Sequence, residues 1–71
     1  MMDALAQIKA RADRELEEYG PLSSRHQALG LLLEEVRDLE DAIFDKASTA
    51  SLHHEAEQVA ARALRIMTEL V

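Results

Sequence analysis

Cysteine is absent from the chain. Disulfide staples and thiolate zinc sites are therefore excluded. Basic residues are scarce: eight Lys and Arg stand against fourteen Asp and Glu, a formal charge of -6. A chain of that balance is a poor partner for nucleic acid, because phosphate binding needs a basic surface. No apolar run approaches the roughly 18 to 20 residues of a membrane span. The start, MMDALAQIKARADR, lacks the long apolar region of a signal peptide, so a cytoplasmic protein is expected. Alternating apolar segments are missing, so no strands are expected. Internal repeats, low-complexity tracts and long linkers are missing too. The 71 residues read as one domain, 1–71.

A core of this size seldom outweighs the entropy of its chain without disulfides, a metal or oligomerisation. With disulfides excluded, self-association is the expected route, to a homodimer or homotetramer.

What the sequence does contain is helical periodicity. Three helices are expected, at about 3–19, 24–46 and 52–70. Asp3 caps the first, whose Leu5, Ile8, Ala12, Leu16 and Tyr19 fall in one stripe. One neighbour satisfies such a stripe. Glu17 and Glu18 read as solvated, with an Arg14–Glu18 pair. Gly20 suits the left-handed turn after a helix, and Pro21 cannot continue it. Ser24 with Gln27 fits a capping box for the second helix.

In that second helix, with Glu34 set at zero, Leu39, Leu32, Ile43, Val36, Leu29 and Leu33 fall between roughly 140° and 260°. Leu31, Ala42 and Ala28 extend the apolar arc back to about 60°. An arc so wide asks for packing on more than one side. The third helix, capped by Ser51 for preference, places Leu52, Ala56, Val59, Ala63, Ile66, Met67 and Leu70 on one face. Ala56, Ala60 and Ala63 would let a neighbour come close. Arg62 and Arg65 fall on its polar side.

Glu34, Glu35 and Asp38 sit at roughly 0°, 100° and 40° on the second helix, at one edge of its arc. Carboxylates so close repel unless a positive charge lies between them. If Glu55 on the third helix faces them, four acids surround one cavity suited to a hard divalent cation, magnesium or manganese. Through the cation such a site would take the phosphates of a nucleotide, and a spare carboxylate could orient a water. Glu-Glu-x-x-Asp is also a common solvated pattern, since glutamate is a good helix former. His53 and His54 read as a solvated helix start, because adjacent residues point about 100° apart. His26, at the border of the apolar arc, reads as an interface residue.

LLLEEVRDLEDAI, followed by HHEAEQVAARALRIMTEL, resembles the MazG-like branch of the all-α nucleoside triphosphate pyrophosphohydrolases. The resemblance covers roughly residues 22–70. It implies an all-α subunit, a three-helix antiparallel hairpin-type unit forming a helical bundle by homo-oligomerisation. It implies Mg2+, or Mn2+ in its place, on Glu34, Glu35, Asp38 and Glu55. Water would attack the α–β phosphate linkage of a nucleoside triphosphate, releasing monophosphate and pyrophosphate, with Glu35 as the catalytic carboxylate. Asp38 stands where the motif has its third glutamate. Gln58 stands where the second motif has aspartate, and its amide brings no charge to a cation. The basic and amide residues that grip substrate further on in the family have no match before Val71. Arg62 and Arg65, or a neighbouring subunit, would substitute for them, and Gln58 and Arg62 are the substrate-binding candidates. The alternative is a non-catalytic helical module that keeps the fold and dimerises, binding a nucleotide without cleaving it or binding a protein.

Overall fold

Each of three helices starts on a side chain that accepts a backbone N–H at its first turn. The structure, a computed structural model, describes residues 3–70; Met1, Met2 and Val71 of the expected 1–71 unit lie outside them. Helix α1 spans Ala4–Tyr19, α2 Arg25–Phe44 and α3 Thr49–Glu69. No strand occurs among the described residues, and no helix is long and apolar enough to cross a membrane. Asp3 Oδ1 accepts from Ala6 N at 2.8 Å, as its capping role requires. Ser24 accepts from Gln27 N at 3.0 Å. The reciprocal bond of a capping box reaches one residue further back than expected: Gln27 Oε1 accepts from Ser23 N at 2.6 Å.

The third cap corrects the expectation. Ser48, not Ser51, closes α3, accepting from Ser51 N at 3.1 Å. Thr49, Ala50 and Ser51 therefore join the first turn, and the helix begins three residues before the expected Leu52. Several hydroxyl residues in a row can each cap, and Ser48 yields the longer helix with a second bond from its own Oγ to Ser51 Oγ. Upstream, α2 ends at Phe44, and Lys46 takes a positive φ of 53° in the connection.

Between α1 and α2, Gly20 has φ 82° and ψ 177°, a region open to glycine alone. Its N–H closes the helix on Leu16 O at 2.9 Å.

Helix α3 is the middle element. It packs against both α1 and α2, while no Cα of α1 comes within 8 Å of one in α2. The described chain is thus an open layer of three helices, 35 × 30 × 18 Å. The first helix has its one neighbour, as its narrow stripe required. The second has only α3, although its arc asks for more.

The layer encloses little apolar matter. The buried hydrophobic residues are Ala12, Ala28 and Ala61, one from each helix, and they let the backbones approach closely. Here two expectations fail. The close approach on α3 is at Ala61, while Ala56 and Ala63 are exposed. And the polar side of α3 faces inward: Arg65, 2 % exposed, is among the most buried residues. Its guanidinium is inside because carboxylates come to meet it. Nε and Nη2 donate to Glu69, at 2.6 and 3.1 Å, and Nη2 also donates to Gly20 O at 2.9 Å.

On α2 the apolar arc divides in two. Ala28 is buried and Leu31, Leu32, Leu39 and Ala42 are half-buried on the side that meets α3. Leu29, Leu33, Val36 and Ile43, the half at roughly 180° to 260°, remain 41 to 56 % exposed. On α1, Ala12 is buried and Ile8 half-buried, but Leu5, Leu16 and Tyr19 of the expected stripe are exposed. Arg14 and Glu18 form no ion pair; the exposed pair of that helix is Lys9–Asp13, at 2.8 Å.

Candidate metal centre

Glu35 occupies the middle of the α2 face that packs on α3, between Ala28 and Leu39 on one side and Ala42 and Leu31 on the other. It is 6 % exposed, an uncommon place for a carboxylate without a close partner. One turn along, Asp38 is exposed at the rim, and Glu55 of α3 is half-buried opposite. One oxygen from each of Glu35, Asp38 and Glu55 lies within 4.8 Å of the other two. Three of the four expected acids are thus brought together. Glu34 is not in the group. It is exposed, about 100° further round α2 than Glu35, and does not face α3.

Burial pushes the Glu35 carboxyl above the usual range, and Arg62 opposes the rise by favouring the charged form. The negative charges of Asp38, Glu55 and Glu34 push it further up. The Arg62 guanidinium is near but not closed on its target: Nη2 is 3.6 Å from Glu35 Oε1. Nη1 is 3.7 Å from Glu15 Oε1.

Buried oxygens left without hydrogen bonds include Glu35 Oε2 and Glu55 Oε2. Such atoms are costly in a folded protein, since a desolvated acceptor loses its water and gains nothing. These are hard oxygen donors from two helices, two of them carrying an unpartnered atom, and they are of the type that magnesium or manganese could take as ligands. A soft metal is a poor match, because neither thiolate nor imidazole takes part.

No protein family, curated protein or solved structure matches this chain.

Gln58 does not join the acids. Its Nε2 lies 2.8 Å from His54 Nε2, on the flank of α3 toward α1. His54 also has its Nδ1 3.5 Å from Arg11 Nη2, and Arg11 pairs with Glu57. So His54 belongs to a polar seam between α1 and α3, while His53 is exposed. His26 is exposed in the first turn of α2, beside the uncovered half of the arc.

Glu15 was not among the sequence candidates. It is 8 % exposed, and its Oε1 stands between two guanidiniums, 3.7 Å from Arg62 and 3.8 Å from Arg65. The signal available was small: Glu15 lies about 20° from Ile8 on the helical wheel, at the edge of the apolar stripe.

Proposed function

We propose that the chain is a subunit of a MazG-like nucleotide pyrophosphohydrolase, with Glu35, Asp38 and Glu55 holding a divalent cation. The observation that carries this is the meeting of three carboxylates from α2 and α3, with buried Glu35 Oε2 and Glu55 Oε2 unpartnered. When bound, the cation would supply positive charge against the phosphate oxygens of a nucleoside triphosphate. Glu35 Oε2 would accept the proton of the water that attacks the α–β linkage. Water would add to the α-phosphorus and pyrophosphate would leave, giving a nucleoside monophosphate. Arg62, next to Glu35, is the side chain assigned to phosphate. Gln58, turned to His54, is assigned to the margin of the substrate site.

The subunit would work as a homodimer or a dimer of dimers. Leu29, Leu33, Val36 and Ile43 form one exposed row along α2, on the side of the helix turned away from the acids. A second copy packing there would supply the apolar core that three buried alanines do not.

A non-catalytic module is the second reading, and the Gln58–His54 contact favours it, since the last acid of the second motif is replaced by an amide already engaged elsewhere. Pyrophosphate release from a panel of canonical and modified nucleoside triphosphates, with magnesium, separates the two. Turnover lost in Glu35→Gln supports the enzyme. Magnesium binding without turnover on any of them supports the module.

A further inference from the structure

Arg62 is the positive charge that the acidic group already has. It reaches from α3 between carboxylates of two other helices, Glu15 on α1 and Glu35 on α2. At 3.7 and 3.6 Å, both contacts are too long for hydrogen bonds. Its buried Nε has no hydrogen-bond partner. A guanidinium facing a single carboxylate closes into a two-pronged fork on it. Arg62 is drawn both ways and closes on neither, so Glu15 Oε1 and Glu35 Oε2 stay without hydrogen bonds. Arg65 cannot release it from Glu15. Its Nε and Nη2 are held by Glu69 and Gly20 O, and so anchored its Nη1 stays 3.8 Å from Glu15 Oε1.

We infer, on the reading that Glu35, Asp38 and Glu55 take a divalent cation, that Arg62 is a tethered counter-ion standing in for that cation beside Glu35, and that Glu15 is the positioning residue that stops the guanidinium from closing on Glu35. The cation must then compete with a charge built into the chain. Glu15 sets how hard that competition is, although it lies on a helix that supplies no ligand. A neutral residue at position 15 lets Arg62 settle on Glu35 and weakens the cation. A neutral residue at position 62 removes the competitor and strengthens it.

Manganese titration by calorimetry at mildly alkaline pH, where protons compete least, tests this with wild type, Glu15→Gln, Arg62→Met and the double variant. Manganese-induced stabilisation in thermal melts is the second readout. Arg62→Met is expected to bind manganese about tenfold more tightly, and Glu15→Gln several-fold more weakly. The Glu15→Gln loss shrinks in the Arg62→Met background, because the effect passes through the guanidinium. Opposite signs cannot come from a merely structural role, which would weaken binding in both variants. If Arg62→Met alone does not fold, Arg62→Lys, a smaller cation without the fork, replaces it and binds more tightly than wild type. Wild-type binding with both single variants unchanged, or both weakened, overturns the role of Arg62 and Glu15 but leaves the metal reading standing. No binding by any variant overturns both.

Discussion

Arg65 and Glu69 lie one turn apart on α3 and meet with Nε 2.6 Å from Oε2. Both then reach the same turn between α1 and α2. Arg65 donates to Gly20 O at 2.9 Å, and Glu69 Oε1 accepts from Leu22 N at 2.8 Å. The last turn of the middle helix therefore fixes the course of a connection some 45 residues earlier, through groups that are almost fully buried. Burial of the Arg65 guanidinium is tolerable because its charge and most of its donors are satisfied.

Glu69→Ala removes two acceptors at once and leaves Arg65 with Gly20 O as its only hydrogen bond. The expected cost is about 2 kcal/mol, the loss of charge-assisted hydrogen bonds in a buried setting. Glu69→Gln keeps an acceptor for Leu22 and should cost about half as much. Thermal melts measure both; equal, negligible shifts would mean that the pair is only a surface ornament of the helix end.

The pH dependence of the metal-free chain should have two parts of opposite sign. Glu35 has its folded pKa raised above 4.5, by burial and then, against Arg62, by Asp38, Glu55 and Glu34. Its destabilising share is absent below the unfolded value, grows as pH rises, and is complete above the folded value. Glu69 has its folded pKa lowered below 4.5, first by the Arg65 hydrogen bond and, with burial opposing, by Leu22 N–H. Its stabilising share is complete above the unfolded value and is lost as pH falls through the folded one. Acidification from neutrality should therefore first raise the melting temperature and then lower it. Glu35→Gln should abolish the rise and Glu69→Gln should blunt the fall. A melting temperature that falls steadily from neutral pH would count against the Glu35 assignment.

Removal of the buried charge at Glu35 should divide the chain's behaviour with and without metal. Without a cation, Glu35→Gln is expected to be neutral or stabilising by about 1 kcal/mol, since the residue gives up a desolvated and repelled carboxylate. With manganese, wild type should gain stability and the variant should gain much less. The same gain in both would remove Glu35 from the site.

Val36→Lys or Leu33→Lys places a charge in the uncovered row of α2 without touching the face that meets α3. Either should shift the chain toward monomer in sedimentation at micromolar concentration, with a loss of melting temperature that depends on protein concentration. Monomer in wild type, already stable when dilute, would leave that row unexplained by self-pairing.

Much of this fold could be read in the sequence, because its signals are local. Asp3, Ser24 and Gly20 act within one turn of where they stand, and helical spacing needs no knowledge of the neighbours. The order of the layer was not legible. Arg62 and Arg65 look like a solvated side of α3 until acids from other elements are placed against them. The apolar arc of α2 announced an excess of surface to be covered, but not which half α3 would take. The meeting of Glu35 with Glu55 depends on that choice, since a different rotation of either helix would turn one of them to solvent. Glu15 could be found only by knowing that α1 and α2 flank one helix and share its arginine.

Helix α3 has neighbours on both flanks, and it alone joins them. A substitution on α1 or α2 disturbs one contact surface, and the rest of the molecule can adjust. A substitution in the stretch around Arg62, which faces Glu15 on α1 and Glu35 on α2, changes two surfaces together, and what suits one flank must also suit the other. Random mutagenesis scored for folded protein should therefore leave its deepest depletion along this stretch, with the outer helices drifting far more freely in composition.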